Sequence, residues 1–157
     1  MERCAIDLDL AAPEETAALG TAIGALLRAG DVLLLEGEIG AGKTHFARSL
    51  IQSLMDIPED VPSPTFTLVQ VYDSRAGEIW HSDLYRLSTP EEADELGLSE
   101  AFESAICLVE WPDRLGDEAP PSALWLSFSD MAEEEGRHVT LRWRDPAWAG
   151  RLQRLSG

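Results

Sequence analysis

The residues best suited to chemistry lie in one short segment, residues 37–44, which reads Gly-Glu-Ile-Gly-Ala-Gly-Lys-Thr. Glycines at this spacing let backbone N–H groups surround an anion, and the lysine that follows them reaches the β- and γ-phosphates of a nucleotide. Lys43 is the only lysine among twelve positively charged residues, which indicates a need for a compact ammonium instead of a planar guanidinium. The Thr44 hydroxyl is placed to ligate Mg²⁺. The segment therefore predicts a site for nucleotide phosphates.

Two acidic residues are candidates for the rest of phosphoryl-transfer chemistry, which needs a metal ligand and a group that orients the attacking water. Glu110 directly follows the apolar run 106–109, and Asp83 lies near the end of the strand-like segment 78–84. Ligands of open α/β sheets bind at the carboxyl ends of strands. At least one of the two carboxylates is expected to hold metal or water, but spacing alone leaves open which one.

Two further features have both a functional and a structural interpretation. Residues 63–67 read Ser-Pro-Thr-Phe-Thr and occupy an interval that in many NTPases contains a switch loop sensing the γ-phosphate. On pattern alone a proline-stiffened turn is favoured there. Trp111 follows Glu110 directly; it either stacks on a nucleobase or packs in the core, and packing is the commoner role of tryptophan.

The elements around the motif are those that position a phosphate loop. Residues 32–35 are a short apolar run typical of a buried strand, and residues 44–54 carry apolar side chains at helical spacing. Strand, glycine loop and helix in this order are the context that supports the motif.

The remaining pattern predicts a mixed α/β fold. A helix is expected from Pro13 to near Gly30, a loop over 58–64 and a further helix over 90–104. The predicted strands, of which the third and fourth form a hairpin, are 3–10, 32–35, 65–73, 78–84, 105–109, 123–129 and 138–143. We expect a single α/β domain of P-loop NTPase-like, three-layer architecture, with a mixed sheet that includes antiparallel strands.

Length and composition narrow the class of protein. The 157 residues predict one domain, and no run approaches the 18 apolar residues of a transmembrane helix. The first residues lack the pattern of a secretory signal, and Cys4 and Cys107 lack the spacing of a metal site. A cytoplasmic protein with reduced thiols and no membrane association is expected.

The net charge of −17 argues against strong, direct nucleic-acid binding, because affinity for a polyanion depends on neutralising its phosphates. Five arginines nevertheless fall within the last 21 residues: Arg137, Arg142, Arg144, Arg151 and Arg154. A solvated face is the favoured interpretation. The alternatives are a guanidinium near the nucleotide and a docking surface for a partner.

Four segments in this order and spacing resemble the TsaE family (formerly YjeE), bacterial ATPases of tRNA threonylcarbamoyladenosine (t6A) biosynthesis. They are 37–44, 63–69 (Ser-Pro-Thr-Phe-Thr-Leu-Val), 81–87 (His-Ser-Asp-Leu-Tyr-Arg-Leu) and 109–113 (Val-Glu-Trp-Pro-Asp). The resemblance implies one P-loop ATPase domain over 1–157, with a core at about 5–142 and a short C-terminal tail. It also implies binding of ATP and Mg²⁺, slow hydrolysis, and action with the TsaD–TsaB complex, which transfers the threonylcarbamoyl group.

The resemblance also implies roles for individual residues. Asp83 and Lys43 are expected to act in hydrolysis, and Thr44 and Glu110 to bind the metal. The expected nucleotide-binding residues are Gly37, Glu38, Ile39, Gly40, Ala41, Gly42, Lys43, Thr44, Thr65 of the Ser63–Pro64–Thr65 switch, Trp111, Glu15, Thr16, Gly136 and Arg137.

The chain departs from the family pattern in two places. His45 stands where a small hydroxyl residue is frequent, and residues 130–135 are unusually acidic. Two other classes of function remain as alternatives on the sequence: a small-molecule P-loop kinase, and a nucleotide-gated interaction module that does not hydrolyse ATP.

Overall fold

A computed structural model describes residues 5–38, 42–57, 59–61, 68–130 and 136–156 of the protein. The strands are β1 (Ala5–Leu10), β2 (Val32–Gly37), β3 (Val69–Ser74), β4 (Gly77–Asp83), β5 (Ile106–Glu110), β6 (Leu124–Asp130) and β7 (Arg137–Arg142). The α-helices are α1 (Pro13–Gly24), α2 (Lys43–Ser53), α3 (Pro90–Glu95), α4 (Leu98–Ser104) and α5 (Ala147–Ser156), and Pro112–Glu118 forms a 3-10 helix.

The strands form one seven-stranded mixed sheet in the order β1-β7-β6-β2-β5-β4-β3. The central strands β6, β2, β5 and β4 are mutually parallel. At one edge β7 and β1 are added by antiparallel pairing, and at the other edge β3 pairs antiparallel with β4. The predicted hairpin and the predicted mixture of parallel and antiparallel strands are confirmed. Since β2 has parallel neighbours on both sides, its carboxyl end opens at the middle of the sheet, where α/β proteins bind ligands.

Helices cover both faces of this sheet, as the three-layer prediction required. Alternate residues of β2 point to opposite faces: Leu33 and Leu35 belong to the core beneath α1, α2 and α5. Val32 and Leu34 belong to the core beneath α3, α4 and the 3-10 helix. All four side chains are at most 1% exposed, so the strand that leads into the motif is anchored from both sides.

Two predicted helix boundaries are wrong. The helix expected over 90–104 is two helices, because Gly97 takes a left-handed conformation (φ 88°) between α3 and α4. Helix α1 ends at Gly24 and does not continue to near Gly30. After that point Leu26 N–H bonds to Ile23 O and Leu27 N–H to Gly24 O, so the chain tightens into i→i−3 turns. In the described part of the chain no helix is long and apolar enough to span a membrane.

The residues expected to be a short C-terminal tail carry helix α5, which the sequence analysis did not predict. Trp148 and Leu152 lie one helical turn apart and are at most 2% exposed in the core beneath α1 and α2. The Trp148 indole N–H donates to Ser122 O at 2.7 Å. The packed core therefore extends well beyond residue 142.

Helices α1 and α2 lie in close contact, and a glycine allows it. A Cβ atom at Gly20 would stand 2.9 Å from the backbone oxygen of Phe46 and 3.2 Å from Leu50 N. These contacts are tighter than a side chain tolerates, so glycine sets the separation of the two helices. The start of α1 is thereby held next to the start of α2.

Candidate active site

Three parallel strands end at the same edge and bring the candidate acids together. Leu35 of β2 pairs in register with Glu110 of β5, and Glu110 pairs with Asp83 of β4. Leu84 N–H donates to Glu110 O at 3.0 Å, which continues this alignment past the end of β4. Glu110 is 2% exposed and Asp83 is 6% exposed. Two carboxylates distant in sequence thus lie on adjacent strands next to the first turn of α2.

Glu110 connects the first turn of α2 with the interior of the sheet. The Thr44 hydroxyl donates to Glu110 Oε1 at 2.8 Å, and His81 Nε2 lies 2.7 Å from Glu110 Oε2. His81 is fully buried. Both oxygens of this carboxylate are therefore held by neighbouring side chains, which fixes the plane of the group.

The Lys43 ammonium is buried and is held by groups of the protein itself. Lys43 Nζ donates to Gly37 O at 2.6 Å and lies 3.7 Å from the centroid of the Trp111 ring. Burial lowers the pKa of Lys43, and the negative charges of Glu110 and Asp83 oppose that shift. An anion that enters beside this ammonium would compensate the cost of burying its charge.

Trp111 packs between the lysine and a surface tyrosine. Its backbone is left-handed (φ 60°, ψ 54°) immediately before Pro112, and its N–H donates to Leu35 O at 3.2 Å. A left-handed tryptophan is a costly conformation, which indicates that the surroundings hold it there. The centroids of the Tyr85 and Trp111 rings are 4.8 Å apart. Trp111 thus packs against side chains of the site, and its predicted contact with a nucleobase stays a prediction.

Asp83 is oriented by the turn that follows β4. Its Oδ1 atom accepts the Tyr85 N–H at 3.0 Å, and its own N–H donates to Leu68 O at 2.9 Å. Leu68 has a left-handed backbone (φ 68°). The carboxylate is therefore fixed at a sharp bend between β4 and the residues after it, where its position relative to Glu110 is defined.

Two glycines of the motif meet specific steric demands. Gly37 has φ 144°, and a Cβ atom there would lie 2.5 Å from Phe128 O. Gly42 has φ 103° and is the N-cap of α2. A Cβ atom at Gly42 would be 3.7 Å from Cγ and Nε of Arg137. The side chain of the predicted residue Arg137 thus lies beside the start of α2, and its guanidinium donates to Gly136 O at 3.0 Å.

The start of α1 also reaches this region. His45 Nε2 lies 3.0 Å from Pro13 O, which joins the first turns of α2 and α1. Thr16 is 2% exposed. Glu15 Oε2 accepts the N–H groups of Ala11 and Ala12, the second at 3.1 Å. The Glu15 carboxylate therefore stabilises the N-terminus of its own helix, and its predicted contact with the nucleotide stays a prediction.

Some predicted site residues lie outside the described part of the chain: Ile39, Gly40, Ala41, Ser63, Pro64 and Thr65. The unusually acidic residues 131–135 lie outside it as well. Glu38 is exposed at the end of β2. Burial lowers the pKa of Lys43, and the negative charge of Glu38 is among those that oppose this shift.

The C-terminal arginines do not share one solvated face. Arg137 lies beside Gly42 at the start of α2, and Arg142 pairs with Glu36 of β2. Arg151 is 15% exposed and donates to Asp31 Oδ1 at 3.1 Å. The favoured interpretation of a solvated face is therefore wrong for Arg151, which is largely buried, and Arg137 lies at the start of α2. Arg142 fits that interpretation, because its side chain is 52% exposed although it pairs with Glu36.

The donors at the site fit Mg²⁺. The Thr44 hydroxyl and the Glu110 carboxylate are hard oxygen ligands 2.8 Å apart. Within the described ranges no group of three or more His, Cys, Asp or Glu side chains forms a cage for a metal. Mg²⁺ normally binds through one or two protein oxygens together with substrate phosphates and water, so a site this sparse suits it when nucleotide is present.

Two further residues of the site, for which the sequence predicts no role, lie in the segment 81–87. His81 is the buried partner of Glu110, and Tyr85 is the aromatic partner of Trp111. One signal was available for His81. It lies two residues before Asp83 on a strand, so both side chains point to the same face of the sheet.

One protein-family model matches a stretch of the chain that includes this site. The model of the family described as "Threonylcarbamoyl adenosine biosynthesis protein TsaE" matches residues 10–139. The chain belongs to the TsaE family. The matched residues run from the end of β1 into β7 and thus include Lys43, Thr44, Asp83 and Glu110, whereas helix α5 lies outside them.

Two TsaE relatives illustrate the likeness. Each is described as a "tRNA threonylcarbamoyladenosine biosynthesis protein TsaE". The protein of Treponema pallidum is 37% identical over 129 residues, which cover 82% of this chain and 93% of the relative. The protein of Rickettsia felis is 42% identical over 122 residues, 78% of this chain and 71% of the relative.

The TsaE fold is also found among solved structures. The crystal structure of YdiB from Bacillus subtilis matches with a TM-score of 0.80 and 30% sequence identity. The match covers 99% of this chain and 96% of YdiB. The likeness therefore extends through the antiparallel strands at both edges of the sheet and through helix α5.

Proposed function

We propose that this member of the TsaE family is a Mg²⁺-dependent ATPase that supports t6A formation in tRNA together with TsaD and TsaB, and that it is not itself the threonylcarbamoyl transferase. The observation that carries the proposal is the convergence of Lys43, the Thr44–Glu110 pair and Asp83 at the carboxyl ends of adjacent strands. The match to a family named for threonylcarbamoyladenosine biosynthesis supports the process in which the ATPase acts.

Phosphate binding is assigned to the start of α2. The N-terminus of a helix presents unpaired N–H groups and a positive dipole end to an anion. Lys43 adds a positive charge that can turn to a phosphate by leaving Gly37 O and the Trp111 ring. Arg137, beside Gly42, places a second cationic side chain at the same end of α2. These groups together favour a bound triphosphate.

Metal binding is assigned to Thr44 and Glu110. A Mg²⁺ ion held there would neutralise charge on the nucleotide phosphates. The Thr44 hydroxyl would offer it an oxygen lone pair, since the proton of that hydroxyl is directed to Glu110 Oε1. The Glu110 carboxylate supplies negative charge from the adjacent strand, so both groups are in place before nucleotide arrives.

Hydrolysis is assigned to Asp83. In the reaction a water oxygen bonds to the γ-phosphorus while the bond to the β–γ bridging oxygen breaks, and the water proton is lost to solvent or a nearby base. Asp83 lies next to Glu110 across the strands and is fixed by Tyr85 N–H. Its carboxylate accepts a hydrogen bond from the water and orients it. One positioned carboxylate is consistent with slow turnover by the isolated subunit.

The partners are assigned from chemistry and family together. A protein with a net charge of −17 is poorly suited to hold tRNA by itself. The relatives are named for modification of tRNA, so other subunits would contact the nucleic acid. We assign that task to the TsaD–TsaB complex, in the cytoplasm, with this chain as the subunit that binds and hydrolyses ATP.

The test is reconstitution of t6A synthesis with purified TsaD and TsaB, with and without this protein. We expect modification to require both ATP hydrolysis and the wild-type chain. Lys43→Met, which removes the charge but keeps the length of the side chain, should lower ATP affinity by about 10- to 100-fold. Full retention of binding by that variant would contradict the site. A pull-down with TsaD and TsaB, with and without ATP, tests the partners directly.

The same material separates the alternative functions. With γ-labelled ATP, label that appears only as free phosphate supports an ATPase, and label on a small molecule supports a kinase. If Asp83→Asn binds ATP, does not hydrolyse it and still supports full modification, the chain is instead a nucleotide-gated module that needs no hydrolysis.

A further inference from the structure

We infer that His81 is a positioning residue for magnesium: it holds the Glu110 carboxylate in the orientation that serves Thr44 and the metal. The inference rests on the proposed function, since it assigns a further residue to the same Mg²⁺–ATP site. The effect of His81 passes through Glu110, whose other oxygen accepts from Thr44.

The first observation is that the two carboxylate oxygens of Glu110 have different hydrogen-bond partners. Oε1 accepts from the Thr44 hydroxyl at 2.8 Å, and Oε2 lies 2.7 Å from His81 Nε2. A carboxylate bonded through one oxygen can rotate about its last side-chain torsion, which has a broad energy minimum. A bond to each oxygen from opposite sides removes that freedom. The orientation of Glu110 is thus determined by His81 as much as by Thr44.

The second observation is where the histidine lies. Ile79, His81 and Asp83 are every second residue of β4, so their side chains lie on the same face of the sheet. Ile79 belongs to the core on that face. His81 pairs in register with the buried Leu108, so its position is one that an apolar side chain would fill. Burying an imidazole costs free energy unless it is hydrogen-bonded. In this pattern the bond to Glu110 is the feature that offsets that cost.

The third observation concerns the second ring nitrogen. Nδ1 of His81 is buried and has no hydrogen-bond partner among the residues described. A proton on Nδ1 would be a buried donor without an acceptor, whereas a bare Nδ1 leaves only an unused lone pair. Nε2 is therefore the ring nitrogen that engages Glu110, as the donor of a proton to Oε2. A donor at this position orients the carboxylate.

Outer groups of this type orient metal ligands in many proteins, and their removal typically lowers metal affinity by about 10- to 100-fold. Here the group is required only when the metal is present. The contribution of His81 should therefore be seen as the gain in nucleotide affinity that Mg²⁺ provides, and not as binding of nucleotide in its absence.

The experiment uses two amides of different reach. His81→Gln places its side-chain N–H₂ near the position of Nε2 and can still donate to Glu110, whereas the shorter His81→Asn places it near Nδ1 and cannot. Both are buried polar replacements with similar costs to folding. Ser82→Ala is the matched control, because Ser82 is equally buried, is the next residue of β4 and points to the opposite face.

The readout is calorimetric titration of the full-length protein with ATP, once with EDTA and once with saturating Mg²⁺. The quantity compared is the ratio of the two dissociation constants. We expect the gain from Mg²⁺ to fall by about 10- to 100-fold in His81→Asn, to be largely kept in His81→Gln, and to be unchanged in Ser82→Ala. Binding with EDTA should be the same in all four proteins.

The outcomes separate the inference from the proposed function. If the wild-type chain binds ATP no more tightly with Mg²⁺ than with EDTA, the proposed magnesium site itself is wrong. If the wild-type chain shows the gain and His81→Asn keeps it as fully as His81→Gln, the magnesium site stands and the role of His81 is overturned. Equal losses in His81→Asn and Ser82→Ala would also overturn it, because strand disruption would then explain both.

Discussion

Lys43 Nζ lies 3.7 Å from the centroid of the ring of Trp111, the residue that directly follows the buried acid Glu110. A cation over an indole ring is attracted by the electron density of the ring face. The ammonium that the motif assigns to phosphate is therefore already bound within the protein. Any phosphate that recruits Lys43 must compete with this contact and with the bond to Gly37 O.

This contact predicts a fluorescence signal from Trp111. Because the charge over its ring should move when ATP binds, the emission of Trp111 should change on addition of ATP. The chain has five tryptophans, so the change in emission on addition of ATP is measured for the wild-type protein and for two variants. We expect this change to be lost in Trp111→Phe. It should remain in Trp80→Phe, because the ring of Trp80 packs near Gly97. The opposite pattern would show that Lys43 does not leave Trp111.

Asp83→Asn should separate binding from hydrolysis. The amide keeps the size of the side chain and can still accept from Tyr85 N–H, but it is a weaker acceptor for the attacking water. We expect ATP affinity to change by less than about threefold and the hydrolysis rate to fall by about 100-fold or more. Phosphate release and calorimetric binding are measured on the same preparation. A rate equal to that of the wild-type protein would remove Asp83 from the mechanism.

Glu110→Gln should act on magnesium instead. This change removes the negative charge of Glu110 but keeps an acceptor for the Thr44 hydroxyl. The Mg²⁺ concentration that gives half-maximal hydrolysis should rise by at least about tenfold, since a charged ligand is lost. The matched change at Asp83 should leave that concentration nearly unaltered. If the two variants shift it equally, the division of roles between the two acids is incorrect.

Two glycine substitutions should change stability in opposite directions. Gly20→Ala places a Cβ atom 2.9 Å from Phe46 O at the contact of α1 with α2, and such overpacking costs about 1–3 kcal/mol. Gly150→Ala is the control, because no atom lies within 4 Å of its Cβ position in helix α5. It should stabilise the protein by up to about 1 kcal/mol through helix propensity. Thermal unfolding of both variants tests the prediction, and equal effects would contradict the packing argument.

His138 should make stability depend on pH. Its hydrogen bonds to Asp9 first and Asp7 second raise the pKa of His138 above the ordinary value of 6.5. The stabilisation is therefore complete below that ordinary value and is lost as the pH rises through the raised one. Compared with His138→Gln, the wild-type protein should show a larger advantage in Tm at a pH of about 5.5 than at about 8.5. The effect should stay under about 1 kcal/mol, because the three side chains are substantially exposed. An equal advantage at both pH values would exclude it.

Local pattern was sufficient for the strand and the helix that flank the glycine-rich motif and for much of the sheet. The strand before Gly37 and the helix after Gly42 follow from short apolar runs and from the glycines between them, and such signals depend on neighbouring residues only. The pairing of Asp83 with Glu110 depends on the register of two strands separated by helices α3 and α4. No local pattern specifies that register, so the sequence showed both acids but not that they are neighbours.

Other features were missed for the same physical reason. Gly97 interrupts an otherwise helical composition, and a single glycine ends a helix only where the chain after it packs in a new direction. Helix α5 has just Trp148 and Leu152 as fully buried apolar side chains in its described part, and their burial depends on a surface built by α1 and the sheet. His81 became informative only when the position of Glu110 was known.

Tyr85 gives the site a consequence beyond its chemistry. Its ring is in contact with Trp111, its N–H is bonded to Asp83, and yet 44% of the residue is exposed. Only two aromatic rings, those of Trp111 and Tyr85, therefore separate Lys43 from the exterior. We expect a movement of Lys43 to reach the exterior at Tyr85 through these two rings, without a rearrangement of the sheet. An environment-sensitive dye attached beside position 85 would report occupancy while every residue of the phosphate loop stayed native.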